Sequence, residues 1–239
     1  MPTIRDEAIC VRHWDFSETS QTVSLLLRDH GMMRGLAKGA RRERGSFSGG
    51  FDLFTRGEIV AIVKPGRELA TLTEWTLLET FPVLRKSADA NRVAWYLADL
   101  VGRFLQQPDE PHPLTWNALL DSLQGMQAGE EVERTTLAFQ WRLLCDVGYR
   151  PRLDLEGIEG DTVAFSPESG GVVTDTGAGD RWRVRRTTVD LLIELDGLNG
   201  VIPDHADLPS IDRASRLLAA WTRELLGVES VPMRLLFGS

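Results

Sequence analysis

Four basic side chains stand within seven residues, at Lys38, Arg41, Arg42 and Arg44, on a chain whose formal net charge is −8. Only Glu43 interrupts them. Positive charge this concentrated on an acidic chain is a local electrostatic feature, and the chemistry it suits is phosphate binding. Gly39, Gly45, Gly49 and Gly50 surround the cluster with loop-forming sequence, in which backbone can follow a phosphate chain closely. Trp14, Phe16, Phe47 and Phe51 are the nearby rings that could stack on bases, at about 1–3 kcal/mol per base. The same rings could instead fill a core.

The usual signatures of catalysis are missing. There is no G-x-x-x-x-G-K-[ST], and Gly45-Ser46-Phe47-Ser48-Gly49 has Phe where a nucleophile elbow needs Ser. His13, His30, His112 and His205 are scattered, with no i, i+4 partner and no cysteine beside them to hold a metal. Glu130-Glu131 fits the polar start of a helix, where the helix dipole favours negative charge. The sequence therefore points to a binding protein rather than an enzyme.

The elements that must carry these residues change character along the chain. Glu7–Trp14, Thr22–Arg28, Met32–Lys38, Asp52–Val63 and Ala70–Phe81 read as five strands, with turn chemistry at Asp29-His30-Gly31 and Lys64-Pro65-Gly66. The last alternates Leu72, Glu74, Thr76, Leu78 against Thr71, Thr73, Trp75, Leu77, the period of a two-faced strand. Five short strands point to a small closed barrel, and the five-stranded member of that class is the OB-fold. The basic cluster then lies on an inter-strand loop, and Arg12, Arg28 and Arg34 on neighbouring strands extend its surface unless adjacent acids claim them.

After Phe81-Pro82 the period becomes helical. Val93, Leu97, Leu100 and Phe104 form one stripe of a helix over Ser87–Gln107. Further helices are expected at Pro113–Met126, Glu131–Val147, Arg186–Leu198 and Ile211–Leu226, the last with Ser210 as N-cap and Gly227 past its end. Residues 150–185, rich in Gly, Asp and Thr, read as loop or β-hairpin. The expected class is α+β: a barrel domain at 1–82, then an all-helical domain at 83–239 with a hairpin insertion near 150–185. On the helix at 131–147, Arg142 flanks Phe139 and Leu143, an arginine-edged apolar face that suits an acidic-hydrophobic peptide unless it is core.

Charge follows the same division. Residues 1–86 hold thirteen Lys/Arg against eleven Asp/Glu, whereas residues 87–239 hold fourteen against twenty-four. Polyanion binding is thus confined to the first part. No run approaches the roughly 18 apolar residues of a membrane span, and the N-terminus lacks a secretory apolar stretch. Cys10 and Cys145 lie in apolar stretches without metal-type pairing, as expected of buried thiols in a cytoplasmic protein.

An ordered set of short motifs resembles the bacterial DNA-repair family RecO. Glu18-Thr19, Gly31, Lys38-Gly39-Ala40-Arg41-Arg42, Leu72-Thr73-Glu74 and Glu79-Thr80-Phe81-Pro82 carry it in the first half. Phe139-Gln140-Trp141-Arg142-Leu143-Leu144, Gly148-Tyr149-Arg150-Pro151, Phe165-Ser166 and Gly170-Gly171 carry it in the second. The resemblance implies an N-terminal OB-fold, a helical C-terminal domain and a non-enzymatic recombination mediator associated with the nucleoid. Such a protein binds single- and double-stranded DNA, anneals complementary strands and, with RecR, helps load RecA on DNA coated by single-strand-binding protein (SSB). It implies DNA contact at Lys38, Arg41 and Arg42, to which Arg44, Arg34 and Phe47 are added from position, and contact of the helical domain with the acidic SSB tail. The rival reading is a protein–protein scaffold that binds no DNA.

One departure is plain. Many family members carry two C-x-x-C pairs for zinc, but here Glu156 and Glu159 stand at the first pair, and Thr174 and Gly177 align with the second. No zinc is expected there, and Phe165 and Trp182 are candidates to hold the segment instead.

Overall fold

A computed structural model describes residues 2–42, 46–47, 50–107, 110–177, 179 and 181–238. The chain divides into two compact units, residues 1–128 and 129–239. The first begins with β1 (Thr3–Asp15), β2 (Gln21–Leu27), β3 (Gly31–Ala37), β4 (Arg56–Ile62) and β5 (Ala70–Glu79), closed in the order β1-β2-β3-β5-β4. Among these strands only β3 and β5 run parallel, through Gly35–Ala70, Leu36–Thr71 and Ala37–Leu72, and this short seam seals the OB barrel. β1 is longer than its alternation suggests because it serves two partners. Its first half pairs with β4, from Thr3–Ile62 to Ile9–Arg56, and its second with β2, from Ala8–Leu27 to Asp15–Gln21.

Inside the barrel, Ala8, Cys10, Val23, Leu25, Leu27, Met33, Ile59, Leu72 and Trp75 form the apolar core. β4 starts at Arg56, not Asp52, because the preceding residues make a turn: the Thr55 hydroxyl donates to the Asp52 carbonyl at 2.7 Å. That turn is tied to β1 by Phe54 N–H to Cys10 O at 2.7 Å and Cys10 N–H to Thr55 O at 3.0 Å. The unit continues with α1 (Val83–Lys86), α2 (Ala88–Phe104) and α3 (Pro113–Ala128). Ser87 caps α2, its hydroxyl accepting from Ala90 N–H at 3.2 Å, and Val93, Leu97 and Leu100 are buried as the helical stripe requires.

The second unit holds α4 (Val132–Asp146), β6 (Thr162–Ser166), β7 (Gly171–Val173), β8 (Trp182–Arg185), α5 (Arg186–Gly197), α6 (Leu208–Leu226) and α7 (Val231–Phe237). The expected loop or hairpin is a three-stranded sheet, β7-β6-β8. Phe165 anchors it, stacked on Trp182 with ring centroids 5.5 Å apart and edge-on to Trp221 at 5.8 Å. α6 begins three residues before Ile211: Asp207 is the cap, its carboxylate accepting from Ser210 N–H at 2.8 Å, and Pro209 sits in the first turn. Hydrogen bonding from the Ser210 side chain, and then from its backbone N–H, holds the Asp207 carboxyl below the ordinary carboxylate range.

Both thiols are pushed up by burial, Cys10 to about 12 and Cys145 to about 11. A thiol raised in the folded state but ordinary when unfolded adds stability that is complete below its unfolded value of 9.0. That stability drains away as pH climbs from there towards the folded values. Urea midpoints should therefore fall above pH 9, and at pH 8 a disulfide reagent should label neither cysteine until the protein is unfolded. Rapid labelling of Cys10 in native protein would contradict its place in the barrel.

Candidate nucleic-acid interface

A β-bulge between Cys10 and Arg12 prepares one face of the barrel. Ala8 and Cys10 point into the core. Beyond the bulge, Arg12 lies opposite Ser24, and Ser24 opposite Arg34 on β3, so two arginines flank a small residue in one outward row. The next row is Trp14, Thr22 and Leu36. Arg12 sits 5.6 Å over the Trp14 ring, whose exposure is 43%, a cation–π arrangement. The Arg12 guanidinium is only loosely paired with Asp99, at 4.0 Å, because Arg103 holds that carboxylate at 2.7 Å. Arg34 is exposed and has no ion-pair partner among the described residues. Arg28 follows the end of β2, lies 3.7 Å from Glu7 and does not join the row.

The basic loop leaves β3 beside these rows. Gly39 N–H donates to the Ser20 hydroxyl at 3.2 Å and Arg41 N–H to the Thr19 carbonyl at 3.1 Å, which fastens the loop to the β1–β2 connection. Lys38 and Arg42 are exposed, and neither has an ion-pair partner among the described residues. Arg41 meets Asp15 at 2.6 Å, with both side chains about half exposed. Such a surface pair is worth about 0–1 kcal/mol and yields readily to a phosphate. Arg44 lies outside the described residues.

Phe47 corrects the sequence reading. Its ring is buried in the barrel core, 5.9 Å from Phe51, which lies 4.8 Å from Trp75. Gln21 reinforces the anchor by receiving Phe51 N–H at 2.9 Å and donating to its carbonyl at 3.2 Å. Two rings thus plug the barrel and hold the loop from beneath, which leaves no face of Phe47 for a base. Phe51 is core for the same reason, whereas Trp14 and Phe16 stay exposed.

Sequence reasoning missed the opposite wall of this face. Lys64 and Arg67, on the β4–β5 turn, line a cleft of 760 Å³ together with Arg12, Trp14, Arg34 and Leu105. The parallel β3–β5 seam sets that turn beside β3. The outer face of strands 2 and 3, with the 1–2 and 4–5 loops, is where OB-folds bind oligonucleotides and oligosaccharides. Met32 contributes a pliable wall that suits a ligand of varied shape.

In the second unit, Phe139 and Leu143 are fully buried, at 0% and 1% exposure. α4 packs against both α5 and α6, so apolar residues are needed nearly all round it. No open groove exists at these residues, and the expected peptide site there is corrected. Arg142 is half-buried, with its aliphatic stem against Gly200.

Glu156, Glu159, Thr174 and Gly177 are all exposed. Two carboxylates, a hydroxyl and a residue without a side chain do not fit zinc, which takes thiolates and imidazoles in structural sites. Among the described residues no group of three or more His, Cys, Asp or Glu could hold a metal ion. The turn carrying the two glutamates is clasped by Arg186, which donates to the carbonyls of Ile158 and Gly160.

Comparison with known proteins covers both units. The family model described as Recombination protein O N terminal matches residues 1–81, and the one described as Recombination protein O C terminal matches residues 85–229. A Rhodopirellula baltica protein named DNA repair protein RecO is 38% identical over 176 residues, 70% of this chain and 64% of that protein. Proteins of the same name from a Roseiflexus species and Salinibacter ruber are 31% and 29% identical, over 73% and 74% of this chain and 62% and 70% of their own lengths. The matches to the first two thus span a little less than two thirds of those proteins.

Proposed function

The chain belongs to the RecO family of DNA repair proteins, and on that premise we propose that it is a non-enzymatic mediator that binds DNA through its OB barrel. The observation that carries this reading is the grouping of Arg12, Arg34, Lys38, Arg41 and Arg42 around one barrel face, with weak or no pairing to acids among the described residues. Cations on a strand face and a loop hold the phosphodiester backbone, and Trp14 offers a ring that any base can stack on. Binding is therefore independent of sequence and covers single and double strands. Annealing follows from charge, since a cationic surface that holds two strands weakens their repulsion.

The family resemblance supplies the partners: RecR, RecA loading on SSB-coated single strands, and contact with the acidic SSB tail. With Phe139 and Leu143 buried, that tail docks elsewhere. Action in the cytoplasm accords with this reading, and no helix among the described residues is long and apolar enough to cross a membrane.

Fluorescence anisotropy with an unrelated oligonucleotide, at roughly 50 and 200 mM salt, tests the proposal. Binding should weaken steeply with salt, and Lys38→Ala with Arg41→Ala should flatten the slope by about one unit for each phosphate left without its cation. The scaffold reading draws on the acidic balance of residues 87–239 and expects no binding even at low salt. An unchanged slope in the folded double variant would remove the loop from the interface.

A further inference from the structure

At the end of the barrel next to the basic loop, two cavities of 260 and 220 Å³ adjoin, and His13, Asp52, Thr55, Thr80 and Arg85 line both. One lobe is walled by the rings of Phe54, Phe81 and Trp95. The other reaches Arg41. Between them, Arg85 and Asp52 form an exposed ion pair of 2.7 Å that can open without burying charge.

Two local features aim this cleft. The bulge at Cys10–Arg12 sends Arg12 and Trp14 outward and leaves His13 between them facing the cleft. There its Nδ1 is buried and finds no hydrogen-bond partner among the described residues. A buried polar atom of this kind is rare and calls for a partner. Phe54 is held at φ 60°, costly for a bulky residue, by its N–H bond to Cys10; its ring consequently meets Trp95 edge-on at 5.7 Å. Strain kept in place by surrounding bonds gathers at sites that hold ligands.

We propose that this two-lobed cleft takes one unstacked nucleotide of a bound strand. The base enters between the rings and meets His13 Nδ1, and its phosphate lies at Arg41 and Arg85. Size favours this occupant, because a cavity of about 150 Å³ accepts a single six-membered ring and the aromatic lobe is larger. Composition favours it too: apolar walls with a few polar atoms suit a base, and the cationic end suits the anion joined to it. The inference rests on the DNA-binding reading, but it concerns the base, whereas that reading concerns the phosphates.

The test compares a short oligonucleotide with an abasic sugar-phosphate chain of equal length, in anisotropy at fixed salt. Wild type should prefer the natural chain. Trp95→Ala removes an exposed ring while leaving the buried stripe of α2 intact, and should weaken natural-chain binding about tenfold. Its abasic affinity and salt slope should not change. His13→Ala should act in the same direction, which keeps the proposal testable if the tryptophan variant folds poorly. If both folded variants bind the natural chain like wild type, the base pocket is wrong while DNA binding stands. Should wild type bind neither chain, both readings fall together.

Discussion

Gly31→Ala should lower stability by about 3 kcal/mol and the melting temperature by roughly 6–12 °C. Gly31 opens β3 at φ 67°, where a side chain costs about 1–2 kcal/mol. The larger part comes from crowding, because a Cβ built there would lie 1.9 Å from the Glu110 carbonyl oxygen. The Gly31 side cannot easily give way. The turn before Gly31 is bolted to the barrel by Asp6, whose buried carboxylate accepts from Asp29 N–H at 3.0 Å and lies 2.7 Å from His30 Nδ1. Gly66→Ala is the matched control: its φ is 74°, yet nothing lies within 4 Å of the added carbon, so it should lose about 1 kcal/mol. Calorimetry on the pair separates conformational strain from crowding. Equal losses would show that the Gly31–Glu110 approach is soft.

Asp6 also marks a limit of what a sequence displays. Period-2 alternation and turn residues locate five strands, but a carboxylate carries no local sign that it will be buried to hold a turn in another part of the chain. Arg5-Asp6-Glu7 accordingly looks like surface, although β1 begins before it. Phe47 is illegible for a related reason: whether a loop aromatic stacks on a base or plugs the barrel depends on closure, and closure is a long-range event. Lys64 reads as turn chemistry and Arg67 carries no signal of its own, because only the parallel β3–β5 seam brings them to the cleft. Other features are legible in principle. Pro209 marks the first turn of α6 and favours Asp207 over Ser210 as its cap. Trp182 and Val184 alternate with Arg183 and Arg185, a strand signal too short to stand without its partner β6. The seven residues of α7 span two turns, too few for a periodic stripe to emerge. The basic cluster is the easiest feature to find, because charge is legible without a fold.

The strand face should nevertheless matter more to a single strand than the loop does. Arg12→Glu with Arg34→Glu is expected to weaken single-stranded binding roughly 100-fold at low salt, with the salt slope reduced by about 1.4 for two phosphates no longer neutralised. Both side chains lie on one outward row, and both line the 760 Å³ cleft. Reversal therefore removes two phosphate partners and places two carboxylates where the backbone must run. The new carboxylate at position 12 would also stand near Asp99, which Arg103 already neutralises, so the barrel itself should lose little. Melting curves would confirm that. On the proposed reading, duplex DNA would be too broad for a cleft walled by α2 and the β4–β5 turn and would be held chiefly by the loop cations. The same double variant should then cost duplex binding much less, while Lys38→Ala with Arg41→Ala should weaken both forms to a similar degree. Equal losses for the two DNA forms with the reversed face would place single and double strands on one shared surface and end the distinction between cleft and loop.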